Sequence, residues 1–254
     1  MAIIYISLFI IGSLFGSFYC CTANRLSKNE SIVTPGSHCE NCNHRLTWYE
    51  LIPIFSFIIQ GGKCRKCKIK LSYEYLIVEI VTGLLFMLSF AIYQFSYSTL
   101  TMIVLSSLLI ITYISDFKYM VILDEVLIPG IILLIVILFF QYNVNFVLQS
   151  LLRGLAIFGL LLVIKLLGDK VYKQESLGWG DVKLSFIAGL LLGFKLGLVY
   201  LFVGALIALP YGLLLRVLKK DMLMPFGPFL ITSLYLVFIF SPYINRLLSV
   251  LLGG

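Results

Sequence analysis

The feature that most constrains this chain is a series of apolar stretches, each near the length of a membrane crossing, separated by short polar breaks. A helix of about 20 apolar residues spans ~30 Å of hydrocarbon. The lipid interior leaves helices and closed barrels as the only spanning structures. Eight stretches qualify, at about 2–22, 76–95, 99–115, 125–142, 146–167, 182–194, 196–215 and 226–250. The third is short, and the sixth spans only if neighbouring protein buries its ends. The sixth and seventh also read as one long helix broken around Gly193-Phe194-Lys195-Leu196-Gly197, which gives seven as the other count. The expected fold is an all-α polytopic membrane protein with about eight transmembrane helices. Composition agrees: 61% of residues are hydrophobic and 12% charged, against roughly 45–50% and about 25% in soluble domains. That balance excludes a soluble globular enzyme, a disordered tail and a disulfide-stapled miniprotein. The first stretch has no Lys or Arg before it and no Ala-x-Ala site after it, so it reads as a retained helix rather than a signal peptide.

Charge placement orients the chain. The net charge is +7, without a basic amphipathic run, and most aromatics lie inside apolar segments; no nucleic-acid partner is expected. Residues 23–75 hold Arg25, Lys28, Arg45, Lys63, Arg65, Lys66, Lys68 and Lys70. Excess Lys and Arg mark cytoplasmic loops, so this loop is expected inside and the N-terminus outside. Threading eight spans then places 116–124, 168–181 and 216–221 on the inner side as well. Those segments carry Lys118, Lys170, Lys173, Arg216, Lys219 and Lys220. Arg153, towards the outer end of the fifth span, fits this pattern least well.

Within the loop, Cys39-Glu40-Asn41-Cys42 and Cys64-Arg65-Lys66-Cys67 are separated by 21 residues. Paired Cys-x-x-Cys knuckles at about this spacing are a strong signal for tetrahedral zinc. Cys39, Cys42, Cys64 and Cys67 are therefore the expected ligands of a closed, structural ion. Metal binding would supply the folding free energy of a loop too polar to build its own core. The alternative is disulfides or free thiols, and a cytoplasmic location disfavours disulfides. His38 and His44 flank the first knuckle as solvated side chains, and Cys20 and Cys21 read as packing residues.

Acids at the ends of spanning segments are costly and mark function. Asp116 ends the third span, Asp124 follows eight residues later, Asp181 opens the sixth, and Glu79 lies just inside the second. Two carboxylates on different helices at one membrane boundary can share a proton and divide acid and base roles. Gly178 and Gly180 lack Cβ, so backbone there can approach a bound peptide. The plain alternatives are an N-cap for Asp181 and, for Asp116, an ion pair with Lys118 or Lys183.

Gly178-x-Gly180-Asp181-x-Lys183, with Asp116 upstream, resembles the GxGD aspartic membrane proteases, specifically the type IV prepilin peptidases. Gly16-Ser17-Phe18 before Asn24-Arg25-Leu26, Trp48-Tyr49-Glu50-Leu51-Ile52-Pro53 in the cysteine-rich stretch, Glu79, and Pro225-Phe226-Gly227-Pro228-Phe229 extend the likeness over almost the whole length. The resemblance implies a bifunctional enzyme of the bacterial cytoplasmic membrane. It cleaves the basic leader of type IV prepilins or pseudopilins after glycine at the cytoplasmic face. It then N-methylates the new N-terminal residue using S-adenosylmethionine. Asp116 and Asp181 are carried over as the catalytic pair and the four cysteines as zinc ligands, with Gly178, Gly180, Lys183, Glu79 and Asp124 as supporting positions. Cys20, Leu51, Leu123 and Glu74 depart from the family's usual residues. Leu51 and Glu74 lie in or beside the part linked to methylation. No glycine-rich nucleotide loop marks the S-adenosylmethionine site.

The division expected is 1–22 as first helix, 23–75 as zinc domain and 76–254 as peptidase domain. Asp116 stands at a helix C-terminus and Asp181 at an N-terminus, so the helix dipoles assign the shared proton to Asp116. Glu30, Glu40, Glu50, Glu74, Glu125 and Glu175 are candidate receivers of leader lysines. The competing functions are a cleavage-only GxGD peptidase, a proton-coupled transporter and a non-catalytic scaffold. A transporter would place its acids near mid-bilayer and show an internal repeat; these acids lie at one boundary and no repeat is visible.

Overall fold

The computed structural model describes residues 1–218 and 224–252. The described residues contain eight α-helices and no strand: α1 Ala2–Leu26, α2 Phe55–Ile59, α3 Tyr73–Tyr93, α4 Tyr97–Tyr119, α5 Asp124–Gln141, α6 Val144–Tyr172, α7 Trp179–Val217 and α8 Gly227–Leu252. All but the five-residue α2 are long and apolar enough to cross a membrane. The seven long helices bear out the all-α reading. The count of eight differs at one place: the stretches 182–194 and 196–215 lie on the single helix α7. Its 39 residues would reach ~58 Å if straight, about twice the hydrocarbon thickness. Gly193 interrupts it with φ 76° and ψ −178°, a conformation open to glycine. The interruption falls where the sequence places its break. Of the expected inner segment 216–221, residues 219–221 lie outside the described residues.

Helix ends follow local chemistry. Ser72 Oγ accepts the Glu74 N–H at 3.2 Å to start α3, and Asn143 Oδ1 accepts the Phe146 N–H at 2.9 Å to start α6, both ordinary N-caps. Left-handed residues close α4 at Met120 (φ 55°) and α6 at Lys173 (φ 53°).

The chain forms two compact units, Met1–Ile114 and Ser115–Gly254. In the first, α1 packs along α3 through small residues. A Cβ built on Gly12 would lie 2.8 Å from Gly83 Cα, and one on Gly16 would lie 3.0 Å from Glu79 Cα. Gly12-Ser13-Leu14-Phe15-Gly16 is thus a small-xxx-small contact that lets two membrane helices approach closely. In the second unit, α7 packs against α6 and α8.

Candidate active site and metal centre

The loop between α1 and α3 brings its four cysteine sulfurs within 4.8 Å of one another. Cys39 Sγ lies 3.8 Å from Cys67 Sγ, and Cys42 Sγ 3.9 Å from Cys64 Sγ. Four sulfurs at ~2.3 Å around a tetrahedral zinc stand about 3.8 Å apart, so the donor set fits the ion. The two knuckles repeat each other at an offset of 25 residues. Cys39 N–H donates to His44 O and Cys64 N–H to Ile69 O, each at 2.9 Å. Asn43 and Lys68 both take positive φ, and single bridges join His38 to Arg45 and Lys63 to Lys70. The backbone N–H groups of His44 and Ile69 point at Cys42 and Cys67, as a thiolate ligand favours. His38 Nδ1 faces Gly36 O at 2.9 Å, and His44 Nε2 lies 3.5 Å from Glu50; neither joins the cysteine cluster.

Glu50 accepts the Thr47 N–H and hydroxyl at 2.9 and 2.8 Å. The Thr47 N–H holds its carboxyl below the usual carboxylate range despite burial. Glu50 is buried, with its Oε2 held by Thr47. Glu79, in α3, accepts the N–H of Ile54 at 2.7 Å and a hydrogen bond from Ser17 in α1. Ile54 has φ 65° and ψ −55°, and Phe55 N–H donates to Pro53 O at 2.6 Å. That is the rare, strained γ-turn, here imposed on a β-branched residue. Glu79 therefore fixes the turn that follows Leu51-Ile52-Pro53, and Ser17 of Gly16-Ser17-Phe18 reaches the same carboxylate.

In the second unit, Asp116 and Asp181 are both 6% exposed, and Asp116 is near enough for its charge to bear on Asp181. Asp116, at the end of α4, accepts the Gly227 N–H at 3.0 Å from the start of α8. Asp181, in the first turn of α7, receives the Gly178 N–H, while its Oδ1 is buried with no hydrogen-bond partner. Both acids thus receive the N-terminal end of a helix. The dipole argument for placing the proton on Asp116 no longer separates them.

Ile122 links the two. A Cβ on Gly180 would lie 2.5 Å from Ile122 Cβ, and one on Gly227 would lie 2.7 Å from Ile122 Cδ1 and 2.8 Å from Asp116 Oδ2. Gly180 makes room for Ile122, a packing reason beside the expected approach of a peptide. At Gly178 a Cβ would lie 3.2 Å from Asp181 Oδ2. Tyr200, further along α7, is fully buried with an unpartnered hydroxyl, and Asp181 acts on it electrostatically.

The remaining expected positions fall into two groups. Lys183 Nζ pairs with both oxygens of Asp124, at 2.8 and 2.6 Å, joining the first turns of α5 and α7. Lys183 is therefore the partner of Asp124 and not of Asp116. Glu175 pairs with Lys165, which no motif identified. Lys165 is 2% exposed and contacts Glu175 Oε1 at 2.9 Å, Leu177 O at 2.5 Å and Asp169 Oδ2 at 3.2 Å. Its ammonium lies 5.2 Å from the Trp179 ring centroid. Asp169 also accepts the Ser176 N–H and hydroxyl at 2.6 and 2.7 Å. This cluster ties down the segment that leads into Gly178-Trp179-Gly180-Asp181. A lysine inside an apolar run was the available signal. The roles of Gly227 and Ile122 had no local signal beyond the Pro-Phe-Gly-Pro run.

Comparison with known proteins agrees with this geometry. Residues 10–93 match the Bacterial Peptidase A24 N-terminal domain, and residues 102–213 match the Type IV leader peptidase family. A Bacillus subtilis protein called prepilin leader peptidase/N-methyltransferase is 32% identical over 237 residues, covering 92% of this chain and 93% of its own. A Vibrio cholerae protein of the same name is 31% identical over 94% of this chain and 98% of its own. A Myxococcus xanthus protein, again so named, is 31% identical over 74% of this chain, but the match spans 56% of its longer sequence. No solved structure matches. Two family matches that together run through both units, and a relative aligned nearly end to end, place this chain in the type IV leader peptidase family.

Proposed function

We propose that the chain is a membrane-embedded aspartic endopeptidase. It removes the basic leader of type IV prepilins or pseudopilins after glycine and N-methylates the residue so exposed. The observation that carries the reading is the meeting of Asp116 and Asp181, two buried carboxylates from different helices, around Ile122. One carboxylate takes a proton from the attacking water while the other donates to or polarises the scissile carbonyl. The orphaned Asp181 Oδ1 offers unmet hydrogen-bonding capacity for that exchange. The Gly178 and Gly227 N–H groups orient the two carboxylates, and Lys183–Asp124 fixes the first turn of α7.

Zinc, held by Cys39, Cys42, Cys64 and Cys67, would supply structural rigidity to the loop and no reacting group. S-adenosylmethionine would supply the methyl group; no residue is assigned to it and no step is derived for it. The setting is the bacterial cytoplasmic membrane, N-terminus outside and acids at the cytoplasmic face, with the division 1–22, 23–75 and 76–254. The cysteine cluster and the N-terminal-domain match favour this reading over a cleavage-only peptidase.

Co-expression with a prepilin tests it. Asp116→Asn and Asp181→Asn should each lower leader removal by about 10³-fold or more, read by the shift in prepilin mass. Leader removal surviving in either variant sinks the assignment. Mass spectrometry of the wild-type product should show one added methyl on its N-terminus.

A further inference from the structure

The cysteine loop carries an exposed apolar surface. Phe55, Ile58 and Ile59 of α2 are 65%, 64% and 73% exposed, and Trp48 is 77% exposed in the turn before it. A water-facing loop with that many bare side chains would be an aggregation liability. Where the loop sits resolves the difficulty. Ile54, at the head of α2, is hydrogen-bonded to Glu79. Glu79 lies six residues into α3, which is ~9 Å along its axis. The 21 residues of α3 amount to ~31 Å, about one hydrocarbon thickness. The start of α2 is therefore level with the first turns of a membrane-spanning helix, and the Phe57 ring meets Tyr73, the first residue of that helix, at 5.6 Å. Beside that contact, Tyr73 and Ile77 of α3 are exposed as well.

Charge points the same way. Lys63, Arg65, Lys66, Lys68 and Lys70 follow α2 directly, all exposed, and the Arg65 guanidinium lies 4.9 Å from the Tyr49 ring centroid. An apolar face beside a cationic rim is the composition of an interfacial anchor on an anionic leaflet.

We propose that α2, with Trp48, lies in the bilayer surface as an interfacial helix, its apolar face in the acyl–headgroup boundary and the second knuckle's basic residues over anionic headgroups. The strained turn at Ile54 is the bend that lays the helix flat, and Glu79 is the group that holds it from inside the membrane.

The test uses the full chain reconstituted into vesicles of phosphatidylcholine and phosphatidylglycerol. Trp48 and Trp179, the two native tryptophans, are changed to Phe, and one reporter, Ile58→Trp or Ile59→Trp, is introduced. Lipids brominated high on the acyl chain should quench either reporter by roughly half, and aqueous iodide should add little. Iodide quenching without lipid quenching would place α2 in water and overturn the proposal. Protection from both quenchers would mean that protein covers the face, from this chain or a second copy, and would overturn it equally. Two reporters guard against one failing to fold.

Discussion

Glu79 and Lys165 are both ionisable side chains buried within membrane helices, and each secures the loop beside its helix. They do it by opposite means. Glu79 receives neutral donors, the Ile54 N–H and Ser17, and fixes one backbone turn. Lys165 collects two carboxylates, a backbone carbonyl and an aromatic face, and so gathers a whole segment. The loop held by Glu79 has a second fastening in its cysteine cluster, while the segment held by Lys165 has none comparable. A buried carboxyl facing neutral donors can be replaced by a neutral acceptor of the same shape. A buried ammonium that gathers two carboxylates and a carbonyl cannot, because no neutral side chain of its shape supplies its three donors.

The contrast breaks most deeply at the metal. Chelation, or Cys64→Ser, should abolish an ion worth on the order of 10 kcal/mol to such a fold. It should also make the loop between α1 and α3 sensitive to protease; elemental analysis should find one zinc per intact chain. A loop equally resistant without the ion would leave Glu79 as its sufficient support. The next effect is at Lys165. Lys165→Met should lower leader removal ~10–100-fold, a cost of roughly 1.4–2.7 kcal/mol, held below a fully buried pair's because Glu175 is largely exposed. Glu79→Gln should change the rate by less than about threefold, since an acceptor for the Ile54 N–H remains. If Glu79→Gln proves the more damaging, the neutral-donor account of that site is wrong. The packing beside the acids is read through stability. Gly180→Ala should cost about 1–3 kcal/mol through its clash with Ile122, read as a lowered melting temperature. Ile122→Ala in the same chain should restore part of it, and additive losses would show that the two residues do not meet.

What the sequence made legible follows the range of each interaction. The cysteine knuckles were readable because a Cys-x-x-Cys turn fixes its own geometry within a few residues, and Asp116 and Asp181 because an acid at a membrane boundary is costly whatever surrounds it. Gly227 and Ile122 were not readable as parts of one site. Their contact joins the connection after α4 with the starts of α7 and α8, and no spacing encodes that. Lys165 was visible as an anomaly in an apolar run with Asp169 four residues on along the same helix, but Glu175 and Leu177 reach it only through the turn that ends α6. The Ile54 turn ran against residue preference, since a β-branched side chain argues against positive φ. The kink at Gly193 was legible from glycine spacing, although it joins two segments into one helix.

Ile122 is a hydrocarbon side chain wedged between the backbone beside one acid and the backbone beside the other. The separation of those two stretches of backbone is accordingly set by a volume rather than by an ion pair. Added salt or a change of pH would loosen an ionic spacer, yet neither alters the girth of an isoleucine. The spacing of those two stretches of backbone should therefore answer first to that side chain's being lengthened, shortened or branched elsewhere.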